Sequence, residues 1–301
     1  NLVVLRWLLT TKPDLILAND PHFLPSVRFY EKKKHDMVRI IYDSHEDFNE
    51  YRRGNIESRF LSFLERHFLK SHWQFVAVSE NIAKSLSHRY EPEKQVVVLR
   101  NYPSREFMKK SSRKLRSDSG FSEDDTVVVY SGRASEARGI EMLIQAVAKI
   151  HGLKLALVVD THPSTQKYIQ SLLTRYDCHV HCATLPYVDP EEVVDYIGTA
   201  DIGVLPFLRF RRDGEINKQL DGALANKLFD SWNAGLKLVI SDCEEQVNFT
   251  QGDPDTFVYD SRSLQGLVRA LRLATHNKHH RPDRRGVFWE DQSEALSLIY
   301  N

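Results

Sequence analysis

Three cysteines in 301 residues are too few, and odd in number, to form a disulfide framework, which points to a reducing compartment. Cytoplasm is the expected setting. No apolar run approaches the roughly 20 residues that a bilayer-spanning helix needs. An excess of one charge is lacking too. The 41 basic and 41 acidic residues cancel, so no global field draws the chain to nucleic acid or to an anionic membrane, and any such attraction is local. There is no internal repeat and no low-complexity tract. Asn1 begins neither a signal peptide nor an initiator-methionine start and runs straight into Leu-Val-Val-Leu, so an upstream segment is expected to be absent.

What is present is 42% hydrophobic residues, ample for the cores of two ordinary domains. Short apolar runs alternate with stretches of helical period, the pattern of parallel sheets covered by helices. The pattern predicts strands at 15–18, 38–42, 75–78 and 96–99, with helices at 23–34, 56–70 and 80–88. A second series predicts strands at 127–130, 155–159, 179–181, 202–205 and 237–240, with helices at 139–150, 164–175, 190–198, 226–234 and 263–274. The Ser-, Lys-, Arg- and Asp-rich stretch that ends at Asp125 reads as a link. The expected division is an α/β domain over 1–104, a linker over 105–125, a second α/β domain over 126–286, and a last helix within 287–301 that crosses back.

Residues 226–236, Asn-Lys-Leu-Phe-Asp-Ser-Trp-Asn-Ala-Gly-Leu, have the form of a helix start with Gly235 as its stop. Asn226, Lys227 and Leu228 open it, and Lys227 adds a cation beside first-turn amides that attract phosphate. Asp230, one turn further in, offers a carboxylate that can accept both hydroxyls of a ribose. The plainer alternative is a surface helix that buries Leu228, Phe229 and Trp232 and leaves Lys227 and Asp230 solvated. Ser131-Gly132-Arg133 follows a predicted strand, and Arg138-Gly139 opens the next helix. A glycine there lets backbone approach a ligand, and two guanidinium groups from one loop can grip phosphate oxygens. Asp43-Ser44-His45-Glu46 ends another strand, where open parallel sheets present ligand-binding loops. The His45 imidazole can hydrogen-bond a substrate hydroxyl, although a structural histidine is the plainer alternative.

Other patterns are set aside. Cys178, His179, His181 and Cys182 have ligand chemistry, but alternation along a strand sends them to opposite faces, so no metal is expected. Gly252-Asp253-Pro254-Asp255 reads as a surface turn. The segment Arg52, Arg53, Arg59, Arg66 and Lys70, interleaved with Phe60, Phe63, Leu64 and Phe68, fits a membrane-surface helix. A core-packed helix with a solvated basic face is the plainer reading. His22, His35, His67, His276, His279 and His280 show no useful spacing.

Together the chain resembles glycosyltransferases of family 4, which have the GT-B fold. The resemblance rests on Asp43-Ser44-His45-Glu46, Val78-Ser79-Glu80, Leu99-Arg100-Asn101-Tyr102-Pro103, Ser131-Gly132-Arg133 with Arg138-Gly139, the run from Ala200 to Phe207, and Asn226-Lys227-Leu228-Phe229-Asp230 with Ala234-Gly235. It implies an α/β protein of two facing Rossmann-like domains with parallel sheets. The family's first strand and glycine-rich loop have no counterpart before Pro13-Asp14-Leu15, so the N-terminal domain is expected to lack its first strands.

The resemblance implies a retaining, metal-independent and cofactor-free transfer of a sugar from a UDP- or GDP-linked donor to a glycan or lipid-linked acceptor in cell-surface polysaccharide synthesis. Nucleic acid is not expected as a partner; peripheral membrane contact accompanies a lipid-linked acceptor. Arg133 matches the arginine on the donor diphosphate, and Arg138 stands where lysine is more usual. Asp230 matches the second acidic residue of the family's Glu-seven residues-Glu motif, which binds the ribose. His45 matches the histidine near the transferred sugar, and Pro186 and Tyr187 are expected near the base. Three positions depart: Gly222 replaces the motif's first acidic residue, Ala225 a common proline, and Lys237 the proline of Gly-Leu-Pro. Two alternatives share the architecture, a degenerate non-catalytic GT-B subunit and a sugar-nucleotide 2-epimerase.

Overall fold

The computed structural model describes residues 1–34, 38–48, 56–276 and 280–300. His35, Arg52, Arg53 and His279 lie outside the described residues. The chain divides into two units, Asn1–Asn101 with Gln292–Asn301, and Tyr102–Asp291.

The first unit runs α1 (Leu2–Thr11), β1 (Leu15–Asn19), α2 (Leu24–Lys33), β2 (Arg39–Ser44), α3 (Ile56–Phe68), β3 (Gln74–Ala77), α4 (Glu80–Tyr90) and β4 (Val97–Val98). The four strands pair in parallel and in chain order, with Leu15 opposite Arg39, Ile41 opposite Gln74 and Val76 opposite Val97. Right-handed crossovers between successive neighbours put the connecting helices on one face. There Leu24, Val27 and Tyr30 of α2 and Ile82 and Leu86 of α4 pack on Ile16, Ile40, Tyr42 and Phe75 of the sheet. Ser79 starts α4, its Oγ accepting from the Ile82 amide at 3.3 Å. Leu-Val-Val-Leu forms the start of α1, which sequence left without an element; Leu8 is its buried anchor.

The second unit runs α5 (Leu115–Ser119), β5 (Thr126–Ser131), α6 (Ile140–Val147), β6 (Leu153–Val159), α7 (Pro163–Arg175), β7 (Cys182–Pro186), α8 (Val193–Ile197), β8 (Ile202–Leu205), α9 (Lys218–Asp221), α10 (Asn226–Asn233), β9 (Lys237–Ser241), α11 (Glu244–Phe249), β10 (Thr256–Tyr259) and α12 (Leu264–Thr275). Its six parallel strands lie in the order β10-β9-β8-β5-β6-β7. Both faces are covered: Val128 and Tyr130 of β5 point into one core, Val127 and Val129 into the other. From β5 the chain winds outward through β6 and β7, then returns to the other side of β5 with β8, so strand direction of travel reverses between β5 and β8.

Several expectations need correction. Residues 179–181 form a 3-10 turn, not a strand; the His181 amide donates to Cys178 O at 3.1 Å and the strand begins at Cys182. The strand-alternation argument about metal therefore does not apply; Cys178 is wholly buried and Cys182 half-buried. Residues 105–125 are not a free linker. Leu115 is buried with Val127 and Val129, and the buried Arg116 guanidinium donates to Thr199 O at 2.7 Å and Asp201 Oδ2 at 2.8 Å. Composition reads such a segment as solvated because it cannot see that the polar groups are paired.

Asp253 is not an open turn residue either. Its carboxylate receives the Arg284 guanidinium, Nε to Oδ1 at 2.9 Å and Nη2 to Oδ2 at 2.5 Å, together with the Thr256 hydroxyl at 2.6 Å. Lys237, in place of proline, buries its stem and donates Nζ to the carbonyls of Ala274 at 3.0 Å and His276 at 2.7 Å, closing the C-terminal end of α12.

The segment before the last helix is a strap on the second unit: Asn233 and Val287 exchange hydrogen bonds at 2.9 and 2.8 Å, and Trp232 Nε1 donates to Arg285 O at 3.0 Å. The last helix, α13 (Ser293–Tyr300), belongs to the first unit. Its Ile299 fills the sheet's second face against Ile41, Val76 and Val97. Arg39 donates to the carbonyls of Ile299 and Tyr300, and Gln292 pairs with the Arg100 backbone at 2.7 and 2.9 Å. Among the described residues no helix is long and apolar enough to cross a membrane.

Candidate functional site

Open parallel sheets bind ligands where the strand order reverses, at the carboxyl ends of the strands. In the second unit this point lies between β5 and β8, and the loops that follow both strands meet there. Gly139 has φ +70°, and a Cβ on it would lie 1.7 Å from Pro206 O, so only glycine lets the β5 loop lie on the β8 loop. Gly132, just past β5, has φ +129°, and a Cβ there would come 2.5 Å from Lys227 Nζ.

Around these glycines the cations gather on two aromatic rings. Arg138 stacks over Phe207 at 4.5 Å from the ring centroid. Lys227, in the first turn of α10, lies 4.1 Å from the Tyr130 centroid and 5.2 Å from that of Phe207. Its Nζ donates to the Tyr130 hydroxyl at 2.9 Å, and that hydroxyl donates to Arg133 O at 2.6 Å. Ala225, the residue before α10, supplies no capping side chain, so the helix start keeps amides available to an anion.

The electrostatics follow from burial. Desolvation pushes the Lys227 ammonium down to about 7, with the Arg138 charge acting in the same direction and Asp230 opposing it. Asp230 is pushed up to about 7, again by burial, with Lys227 opposing. Among the described residues, none of Arg133, Arg138 and Lys227 forms an ion pair with a carboxylate. Positive charge collected at one point, with no carboxylate ion-paired to it among the described residues, is the electrostatic condition for an anionic ligand.

The structure thus brings Gly132, Arg138, Lys227 and the Arg133 backbone together, with Asp230 one turn along α10. Arg133 itself is exposed. Asn226 is exposed at the helix start. Leu228 is otherwise engaged: its side chain is buried with Leu205, Leu238 and Ile240, and its amide donates to Ala225 O at 2.8 Å, so it anchors the helix. Pro186 ends β7, and Tyr187 follows, its hydroxyl pKa raised by burial and by Asp160 and lowered by the Arg133 charge.

Gly222 and His45 are the remaining predicted positions. Gly222 ends α9, and the acid beside it, Asp221, is committed elsewhere, receiving the Glu244 amide at 2.8 Å and pairing with Arg209 at 2.9 Å. His45 follows β2 in the first unit. Its Nε2 lies 3.2 Å from Asp43 Oδ2, and its amide donates to Asp20 Oδ1 at 3.1 Å. The Asp43 hydrogen bond raises the imidazole pKa, against the effect of burial. Sequence reasoning missed Tyr130 and Phe207 as site residues. An aromatic two residues before a strand-end glycine was the available signal for Tyr130, but it reads equally as core. Among the described residues no group of three or more His, Cys, Asp or Glu side chains is arranged to hold a metal ion.

Residues 2–102 match the model of Glycosyltransferase Family 4, and residues 111–285 match that of Glycosyl transferases group 1. The second match spans more than half of the chain, and the chain belongs to the group 1 glycosyl transferases. Its structure is similar to sucrose-phosphate synthase from Thermosynechococcus elongatus, with a TM-score of 0.71 and 14% identity over 98% of this chain and 72% of that one. It is also similar to HepE of Anabaena in complex with UDP-glucose, at 0.68 and 15% over 95% and 76%. A putative UDP-N-acetylglucosamine 2-epimerase from Listeria monocytogenes gives 0.61 and 8% over 99% and 78%. At these identities the likeness shows the fold, the two parallel-sheet α/β domains of GT-B glycosyltransferases. No curated protein matches the chain in sequence.

Proposed function

We propose that this group 1 glycosyl transferase moves a hexosyl group from a nucleoside-diphosphate sugar to a glycan or lipid-linked acceptor, with retention of configuration and without a metal ion, in the synthesis of a cell-surface polysaccharide. The observation that carries this reading is the unpaired cation cluster at the β5–β8 switch point, with an uncapped helix start and a carboxylate one turn beyond it. HepE, of like fold, was solved with UDP-glucose, which favours a uridine nucleotide over a guanosine one. The three free thiols suit a cytoplasmic setting.

In this reading Arg133 and Arg138 neutralise the diphosphate, the first turn of α10 at Asn226 and Lys227 adds amides and a cation, and Asp230 takes the ribose hydroxyls. The guanidinium groups supply the positive charge that a divalent ion gives in other phosphate chemistry. As the bond from the anomeric carbon to phosphate breaks, the bond to the acceptor oxygen forms on the same face, and the acceptor proton passes to the departing phosphate oxygen. His45, oriented by Asp43, hydrogen-bonds the transferred sugar and steadies the charge that develops there. Pro186, which ends β7, and Tyr187, which follows it, are assigned to the base.

Isothermal calorimetry with UDP and GDP tests the donor site: Arg133→Ala and Asp230→Ala are each expected to weaken binding about tenfold or more. Unchanged affinity in both refutes it. His45→Ala is expected to lower turnover far more than donor affinity. The glycine at 222 and the structural commitment of Asp221 favour one second reading, a subunit that binds donor without transferring it. Donor binding with neither transfer nor hydrolysis would establish that reading, and an epimerised sugar nucleotide formed without acceptor would identify an epimerase.

A further inference from the structure

The first sheet ends at β4 in an edge whose backbone is open to pairing. Val76 lies opposite Val97 and Ala77 opposite Val98, and the Leu99 amide donates to Ala77 O at 2.9 Å, so the backbone groups of Val97 and the Leu99 amide face β3. Alternation along the ladder turns the N–H and C=O groups of Val96, Val98 and Arg100 to the outer side, where no further strand lies among the described residues. At Arg100 a side chain takes the place of a strand. The Gln292 amide accepts from Arg100 N at 2.7 Å and donates to Arg100 O at 2.9 Å, the pair of bonds that a neighbouring strand would otherwise make. Val96 and Val98 have no such substitute among the described residues.

This open edge borders a groove of about 680 Å³ that runs along Gln95–Val98 between α4 and α13, which pack on opposite faces of the sheet. The two walls differ in chemistry. Glu80, Lys84, Ser87 and His88 line the α4 side, and Ala295 and Leu298 the α13 side, with Leu298 65% exposed. Glu80 already receives the Arg100 guanidinium at 3.1 Å, whereas neither Lys84 nor His88 has an ion-pair partner among the described residues.

We propose that this edge takes an extended segment of a partner protein, added to β4 as a further strand, in which acidic and apolar residues alternate. Side chains of a strand point in turn to the two faces of its sheet, so successive residues of the guest meet α4 and α13 by turns. The α4 wall offers the Lys84 ammonium and the His88 ring to a carboxylate. The α13 wall offers the bare Leu298 to an aliphatic side chain. Main-chain bonds to Val96 and Val98 continue the ladder that Gln292 starts and supply affinity, and the two unlike walls select the sequence pattern. Every residue that lines the groove belongs to the first unit, so the proposal stands or falls separately from the donor site in the second.

Titration of the full chain with a capped octapeptide of alternating glutamate and valine tests it. Binding with a Kd below about 1 mM is expected, with slowed hydrogen exchange at the Val98 amide, and the lysine–valine counterpart is expected to bind about tenfold more weakly or less. A strand turns only every second amide toward its neighbour, so of two peptides methylated on the backbone nitrogens of all glutamates or of all valines, one is expected to keep binding and the other to lose it. Lys84→Glu and Leu298→Asp, both at exposed positions, are each expected to weaken binding about tenfold. Val98→Pro removes the outward N–H where an edge strand tolerates proline, and is expected to do the same. No binding at about 1 mM peptide, equal binding of the two methylated peptides, or binding that none of the three substitutions alters overturns the proposal. So does self-association that Val98→Pro abolishes in the absence of peptide binding, which would give the edge to a second copy of the chain.

Discussion

Two cation–carboxylate pairs in the second unit, the first with buried side chains and the second half-buried, are built in opposite ways. Arg284 and Asp253 touch through two hydrogen bonds, with Thr256 completing the carboxylate and the Trp232 ring 4.5 Å from the guanidinium. Asp253 is held below its ordinary carboxylate range even though burial opposes this. Lys227 and Asp230 lie on one helix and feel each other only through space, while burial drives each toward neutrality. The first pair is complete in itself and fixes the strap that follows α12. The second is left incomplete, and a diphosphate and a ribose would supply what each member lacks. Pairing marks structure here, and its absence marks the candidate site.

That contrast can be broken by substitution. Arg284→Ala leaves Asp253 as a buried unpaired carboxylate and is expected to cost about 3 kcal/mol or more in urea denaturation, with donor affinity little changed in the protein that remains folded. If the loss is small, the pair is not the structural element described. Arg138→Ala should behave the other way, with near-native stability but roughly thirtyfold weaker binding of UDP by calorimetry, or about 2 kcal/mol. Loss of stability without loss of affinity would reverse the assignment of that arginine.

Lys227→Met keeps the volume of the stem on the Tyr130 and Phe207 rings and removes a desolvated charge. Stability is expected to hold or rise by about 1 kcal/mol while UDP affinity falls about tenfold. The smallest effect is the pH dependence of stability. Asp230, with its folded pKa up at about 7, holds a proton that the unfolded chain gives up, so its contribution falls as pH rises from about 4 to 7. Lys227, lowered to about 7, acts in the opposite sense, and its contribution rises with pH between about 7 and 10. Urea titrations across this range should show Asp230→Asn flattening the lower limb by about 1 kcal/mol, and Lys227→Met flattening the upper one. A profile identical in wild type and both variants would mean that neither group is desolvated as described.

Much of the fold was legible because parallel strands buried on both faces leave unbroken apolar runs, and nearly every run in the chain became a strand. The run at 179–181 misled because His-Val-His alternates polarity as well in a turn as in a strand. At the candidate site the glycines, arginines and the Asn226–Asp230 helix start were legible from residue chemistry at predicted strand and helix ends. Tyr130 and Phe207 were not, since an aromatic that fills a core and one that carries a cation have the same local sequence. Periodicity gave α3 two faces, but only the packing of its neighbours decided that Leu64 is covered and Phe60 is bare. The polar stretch around Arg116 was misjudged for the converse reason: its partners, Thr199 and Asp201, are remote in sequence.

The position of α13 has a consequence for synthesis. Ile299 covers Ile41, Val76 and Val97, so these three side chains lack that cover until the ribosome has made the whole of the second unit. The nascent first unit would complete the packing of these side chains only after the intervening unit has been translated, an interval in which a holding chaperone could shield them.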